Sequence, residues 1–550
     1  MRFSKKRFAR LGVGIAVASL VLSACGGGGG SSSDGGKGGG VLKIAMTSSD
    51  IPFTGPYPDN GYEGYRFVAN NLYDGLTRLN LDQDTELPTP QPALAESWTP
   101  NADGTVWTFK LRQDVKFSDG TPFNADAVIF RLETVKGDKN GKYYDADVAA
   151  RASSFYKYVK ESGFRKVDDY TVEIETTQPY GLLNYDALAW FIPSPTAAKK
   201  VIDGGGTWAD FAKAPVGTGA FTLEKLVSGQ QATLKRNDAY WRGAAKVSEI
   251  DLFPAPEAAT RLSMLQSGEV NWAEAPAPDS METLKSQGYN VILAKYPHGI
   301  MPRFNMFRAP FKDNLKLRQA LNYALDREST AAIINKAGYP ASQYVYKGHP
   351  DFVPTNEGYH YDKAKAEQLL ADAGFPHGAG LKTLVFAYPQ GGSGNMYPPE
   401  MMQSLQQQFA DIGVKVELKP VEWNTLLTMG IDGLNADQWS DIDILWASPA
   451  AGMVPTGYTS TVMCERVPGT PNAAGLCDPR IDAAWNKGLA ATDINETHKL
   501  FQEGMNVILD EAYFLFWMHD LNLRVLAPEV KGYIPVQSWW VDFSIIDVES

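Results

Sequence analysis

Strand-like segments are spread along this chain from residue 41 to beyond residue 410, with helical stretches between them. Val41-Leu-Lys-Ile-Ala-Met46, Val106-Trp-Thr-Phe-Lys-Leu111, Val172-Glu-Ile-Glu175, Phe221-Thr-Leu-Glu224 and Ala232-Thr-Leu-Lys235 read as strands. Asn101-Ala-Asp-Gly104 supplies a hairpin turn before the second of them. Helices are expected over 66–76 (ended at Gly75), 124–133 with Asn124 as N-cap, 260–265, 315–325, 361–374, 400–412, 482–489 and 495–509. Leu384-Val-Phe-Ala-Tyr388, the helix over 400–412 and Val414-Lys-Val-Glu-Leu418 form a βαβ-like unit. The fold class is mixed α/β. The scatter of strands fits domains that the chain enters, leaves and re-enters.

The first 40 residues are of another kind. A basic start, Met1 to Arg10, leads into an apolar run from Leu11 to Leu22 and then Leu22-Ser-Ala-Cys25, followed by glycines 26–30 and serines 31–33. Basic, apolar and small-residue regions in this order are the parts of a secretory signal. Twelve apolar residues are too few to span a bilayer, which takes about 20. The Leu-Ser-Ala-Cys ending resembles the lipobox of bacterial lipoproteins, which implies a signal peptide over 1–24 and a lipidated Cys25 as the first mature residue. Residues 26–40 read as a flexible leash. The expectation is an exported protein, lipid-anchored to the cell membrane on its outer side, in the periplasm where the cell has an outer membrane. A soluble secretory signal with an incidental cysteine is the other reading.

The mature chain, about 525 residues, is too long for one compact domain, so two or three are expected. The formal net charge is −12, and removal of the leader takes away five more basic residues. An acidic surface without basic clusters argues against nucleic acid as a partner, and against electrostatic membrane binding once the leader is gone. Cys464 and Cys477 remain, thirteen positions apart around loop-like sequence, and in an oxidising compartment they read as a disulfide. Its loop closure would contribute about 3 kcal/mol in the chain-entropy model. The six histidines show no clustered spacing, so no metal or other cofactor is expected.

Several segments, in order, resemble the family 5 solute-binding proteins of ABC importers, the dipeptide, oligopeptide and nickel class. They are Asn71-Leu-Tyr-Asp-Gly-Leu-Thr-Arg78; Ala93-Leu-Ala-Glu-Ser-Trp98 with Asp103 to Arg112 and Val115 to Asp126; Val216-Gly-Thr-Gly-Ala-Phe221 with Asn237-Asp-Ala-Tyr-Trp241; Leu265-Gln-Ser-Gly-Glu-Val-Asn271; and Arg318 to Arg327. The resemblance implies a periplasmic-binding-protein-like clamshell (type II, cluster C-like) of two lobes with an inserted subdomain. Lobe I would combine 41–75, 210–292 and 513–550, the insert would span 76–209, and lobe II 293–512. A solute would be captured between the lobes by population shift towards a closed state and passed to a membrane permease. A monomer is expected.

Two tryptophans and an aspartate of the second lobe matter in the peptide-binding relatives. The tryptophan positions resemble Trp423, in Val421-Glu-Trp-Asn-Thr-Leu, and Trp446, in Asp441-Ile-Asp-Ile-Leu-Trp-Ala-Ser-Pro449. Either ring offers a flat apolar face and one N–H donor, and either is equally suited to a core. The aspartate three residues after the second tryptophan pairs with a peptide ammonium in relatives; here Pro449 stands there. A buried ammonium without a counter-charge is costly, so neutral or acidic ligands such as oligosaccharides gain ground. Asp441 and Asp443 lie upstream, Asp443 within a strand that reaches Trp446. Tyr57, Tyr458 and His298 are further candidates for the cleft, and Met396 lies in a Gly-rich loop, Gly391 to Met396, expected to cover ligand. Surface or core placement is the ordinary alternative for each.

A secreted hydrolase is the rival of another class. Gly392-Ser-Gly394 is not a nucleophile elbow, no carboxylate pair sits in a recognisable motif, and Gly217-Thr-Gly219 lacks the lysine and spacing of a phosphate loop. The sequence therefore points to a binding protein, for a peptide or an oligosaccharide. It does not separate an importer from a sensor.

Overall fold

The computed structural model describes residues 39–57, 61, 63–392, 398–449, 457, 461–467 and 470–549. The leader with Cys25, Met396 and Tyr458 lie outside the described residues.

The opening strand forms over Val41–Met46, as expected. It lies inside a seven-stranded sheet, parallel to Glu249–Pro254 on one side and to Trp272–Glu274 on the other. Leu42, Ile44, Ala45 and Met46 are all fully buried, the mark of an inner strand covered on both faces. Phe221–Val227 and Gln231–Arg236 extend the sheet at one edge, and Arg524–Leu526 and Asn290–Ile292 at the other. Three distant stretches of chain thus share one sheet.

A second sheet orders Arg303–Phe304, Ile444–Leu445, Leu384–Pro389 and Val416–Val421. Leu384–Pro389 runs parallel to both of its neighbours, and the helix Pro398–Ala410 connects it to Val416–Val421. This is the expected βαβ unit, buried through Leu384, Phe386, Met401, Leu405 and Phe409. A third, antiparallel sheet joins Ala95–Pro100, Val106–Leu111, Thr171–Thr176 and Val159–Asp168. Val159–Asp168 escapes the sequence reading because most of its residues are exposed at a sheet edge. Its Lys160, Glu161, Arg165 and Lys166 blunt that edge with charge. The Asn124 cap acts as read, accepting the Asp126 N–H ahead of Ala125–Lys136, and Asp362, not singled out in the sequence, caps Lys363–Asp372. The helix expected over 66–76 is shorter. A π-helical turn, Gly64–Ala69, continues into Asn70–Leu72 and stops because Tyr73 turns extended.

Two chain segments pass between the first and second sheets. One runs from Asn290–Ile292 through Gly299–Ile300 to Arg303–Phe304, the other from Met518–Asp520 to Arg524–Leu526. They pair with each other, and Met518–Asp520 also pairs with Gly338–Pro340, in a small three-stranded sheet. Leu515, Trp517 and Met518 still pack in the second sheet's core, so the returning crossing lies after residue 518.

Under the first sheet sits a fully buried ionic network. Arg66 Nη2 lies 2.7 Å from Glu274 Oε2, Arg524 Nε lies 3.3 Å from Glu274 Oε1, and the Trp272 indole N–H donates to the same carboxylate at 2.6 Å. Glu63 accepts the N–H groups of Thr47 and Ser48 at 2.9 and 2.8 Å, and burial pushes its carboxyl above the ordinary range. Removing one member of such a set strands its partners without water. Glu274→Ala is expected to lower the unfolding free energy by about 3–5 kcal/mol, measured as a fall in the urea midpoint at constant slope. A change below about 1 kcal/mol would mean that both guanidiniums find other acceptors.

Candidate functional site

The loops that follow the first sheet's strands face those that follow the second's, as expected for ligands of α/β sheets. Between them lies a cavity of about 280 Å³. Thr47, Glu257 and Arg261 line it from the first lobe, and Asn335, Gln390 and Gly392 from the second. Its lining mixes backbone, amide, carboxylate and apolar groups, the chemistry of a site that orients a polar ligand.

Arg261 fixes the first lobe's wall. It is 4 % exposed, and its guanidinium donates to the carbonyl oxygens of Ala255, Pro256, Glu274 and Ala275 at 2.5–2.8 Å. It thereby ties the start of the helix Ala258–Gln266 to the end of the strand Trp272–Glu274. The sequence reading treated this stretch only as an amphipathic helix; its signal was a charged residue at a core-facing position. On the opposite wall, the half-buried Trp423 stands directly behind Gly392. Gly392 has φ of +112°, and a Cβ there would lie 2.6–2.9 Å from the tryptophan side chain. The Trp423 Nε1 is buried and has no acceptor among the described residues. Among the described candidates read from the sequence, Trp423 adjoins a residue of the cavity wall, Gly392.

The others are placed differently. Trp446 is 1 % exposed and packs edge-on against Trp517, ring centroids 6.0 Å apart, in the second lobe's core. Its indole presents no face to solvent in this conformation. Tyr57 is also buried, stacked on Phe53 at 4.6 Å. Asp441 is exposed and held by Lys419 at 2.6 Å. Asp443 is fully buried; it accepts the Val385 N–H at 3.0 Å and pairs with Lys382 at 2.6 Å. His298 is 2 % exposed with both ring nitrogens engaged, Nδ1 by Asp520 at 2.5 Å and Nε2 by the Ser448 carbonyl at 3.0 Å. Cys464 and Cys477 form the expected disulfide. No cluster of metal ligands occurs among the described residues, and none of their helices is long and apolar enough to cross a membrane.

Three of the motif segments that carried the family resemblance meet around one half-buried carboxylate. Asp74 accepts from Thr218 Oγ1 at 2.8 Å, Tyr240 Oη at 3.1 Å and Trp241 Nε1 at 2.9 Å. Gly217 and Gly219 lie against the carbonyls of Leu72 and Asn71, where a side chain would collide. These motifs build the scaffold, not the cleft.

Comparison with known proteins now decides the family. Residues 89–464 match the model described as "Bacterial extracellular solute-binding proteins, family 5 Middle". The chain belongs to this family. Glutathione-binding protein GsiB of Escherichia coli (strain K12) is 32 % identical over 506 residues, covering 89 % of this chain and 91 % of that protein. Heme-binding protein A of Haemophilus influenzae is 28 % identical over 479 residues, 81 % of each. The fold matches that of a dipeptide-binding protein from Pseudoalteromonas sp. SM9913 in complex with Met-Leu, with a TM-score of 0.80, 22 % identity and coverage of 92 % of this chain and 100 % of that one. The architecture is the family's two-lobe clamshell with an additional subdomain.

Two outcomes follow from these placements. Trp446→Ala, by emptying a core site, is expected to cost about 3–5 kcal/mol of stability, seen in chemical denaturation; a loss below about 1 kcal/mol would return the ring to the cleft. His519, beside His298 in the crossing strands, is held neutral: burial, then the neighbouring imidazoles of His298 and His349, push its pKa down to about 3. The unfolded chain takes up this proton near pH 6.5, so the contribution to stability is complete above that pH and is lost as pH falls towards 3. Between pH 7 and 5, His519→Gln should therefore lose about 2 kcal/mol less than the parent. Equal losses in urea titrations would show that the folded protein protonates His519 freely.

Proposed function

We propose that this chain captures a short peptide in the cleft between its lobes and hands it to an ABC permease, with no covalent step. The cavity walled by Thr47, Glu257 and Arg261 on one side and Asn335, Gln390 and Gly392 on the other carries the reading, since a ligand touching both walls favours closure by its differential affinity. The relatives named for glutathione and the structural neighbour holding Met-Leu support a peptide over an oligosaccharide. Pro449 in place of a carboxylate favours an acidic or neutral peptide over one held by its ammonium. We assign lobe I to 41–75, 210–292 and the chain after the return crossing, lobe II to 293 up to that crossing, and the insert to 76–209. Residues 1–24 are proposed as a signal peptide and Cys25 as the lipid anchor that holds the protein outside the cell membrane, as a monomer.

Trp423 is the aromatic contact in this reading. Native mass spectrometry of the purified protein, before and after denaturation, should release a peptide mass, and calorimetry with glutathione, Met-Leu and a neutral hexasaccharide should show peptide binding. Trp423→Ala is expected to weaken the tightest of these peptides about tenfold, roughly 1.4 kcal/mol, with little change in stability. Hexose-spaced masses, or calorimetric heat with the hexasaccharide alone, would replace the peptide by a sugar. Hydrolysis of any of these probes would overturn a binding-only role.

A further inference from the structure

The buried side chains at the lobe crossing form a polar line that the cleft does not use directly. His298 stands where the first crossing segment begins. Its Nδ1 faces Asp520 Oδ2 at 2.5 Å, and Asp520 belongs to the second crossing segment. Its Nε2 faces the Ser448 carbonyl at 3.0 Å. A carboxylate and a carbonyl are both acceptors only. The Tyr296 hydroxyl donates its single proton to the same Asp520 oxygen at 2.8 Å, so it offers His298 none. Both imidazole nitrogens thus face acceptors, one of them a carboxylate that is 2 % exposed.

We infer that His298 is a positioning residue for the cleft: its doubly protonated ring bolts the 446–449 segment of the second lobe to both crossing segments. The backbone supports the same junction, since Gly299 N–H donates to the Pro449 carbonyl at 3.1 Å and Met301 N–H to the Ala447 carbonyl at 2.8 Å. Loss of one ring proton removes either the bond to Ser448 or the charge opposite Asp520, and the segment loosens. The groups facing the ring are Asp520 and the neutral His519 from one crossing strand and Tyr296 from its own segment, with Tyr339 beyond His519 and Arg66 and Arg524 beyond Tyr296. Trp539 closes the remaining side edge-on at 5.4 Å. From the 446–449 segment the Ser448 carbonyl faces His298, and none of its four residues is titratable. That this segment borders the ligand rests on the proposed function; the protonation and the clamp do not.

The test therefore needs no ligand. In the purified full chain labelled with ¹⁵N-histidine, the His298 resonances, assigned by their loss in His298→Gln, should show both nitrogens protonated at pH 6. Hydrogen-exchange protection of residues 299–301, corrected for intrinsic rate, should be at least tenfold lower in His298→Gln than in the parent. Should that variant not fold, Asp520→Asn, which removes the carboxylate opposite the ring, should lower the same protection, and its shift of the His298 resonances gives the assignment. A neutral ring at pH 6, or protection unchanged in the variant, overturns the proposal.

Discussion

Everything in the first lobe rests on the buried charges around Glu274. That carboxylate accepts from Trp272, two residues earlier on the same strand, and pairs with Arg66 and Arg524 from opposite ends of the chain. In register terms Glu274 and Arg524 are direct cross-strand partners. Burial makes the set costly to assemble and more costly to break, so it specifies which strands may be neighbours as well as holding them. Strands separated by some 250 residues reach the same sheet order only if each charge finds its partner.

From that base the polar chemistry continues towards the second lobe. The Arg66 guanidinium lies 4.7 Å from the centre of the Trp539 ring, and Trp539 packs edge-on against both Tyr296 and His298. His298 then meets Asp520 and Ser448. The two lobes are thus joined by a packed, hydrogen-bonded seam and not only by two strands. A clamshell needs a joint that keeps the walls of its cleft in register while they move, and shared side chains at the crossing meet that need.

Much of the fold was legible in local patterns. Val41–Met46, Val106–Leu111, the βαβ unit around Pro398–Ala410 and the cap Asn124 each announce themselves through apolar period or a side chain that replaces a missing backbone partner. Val159–Asp168 does not, because an exposed edge strand needs no apolar face. Nor does the helix Trp423–Asp432, which has no side-chain cap at its start. The site was less legible than the fold. Trp423 and Trp446 have the same residue type and both resemble the relatives' tryptophan positions, and the three-dimensional packing separates a ring behind Gly392 from one sealed against Trp517. Arg261 shows in the sequence only as a charge at a core-facing position, and its role in the wall does not, because its acceptors are backbone carbonyls, which every sequence contains.

The sequence by itself determined the class of fold, the family and the disulfide pair, since periodicity, ordered motifs and the export of a two-cysteine domain are properties read along a chain. It also held the motif around Asp74, whose three donors sit in segments already recognisable as a set. Tertiary structure alone decided that Trp423 stands behind Gly392 while Trp446 is sealed against Trp517, and which groups meet His298. Those outcomes depend on which carbonyl or carboxylate arrives from elsewhere in the chain. Ser448 lies 150 residues from His298 and Asp520 lies 222 away, and no local pattern encodes a hydrogen bond across such distances.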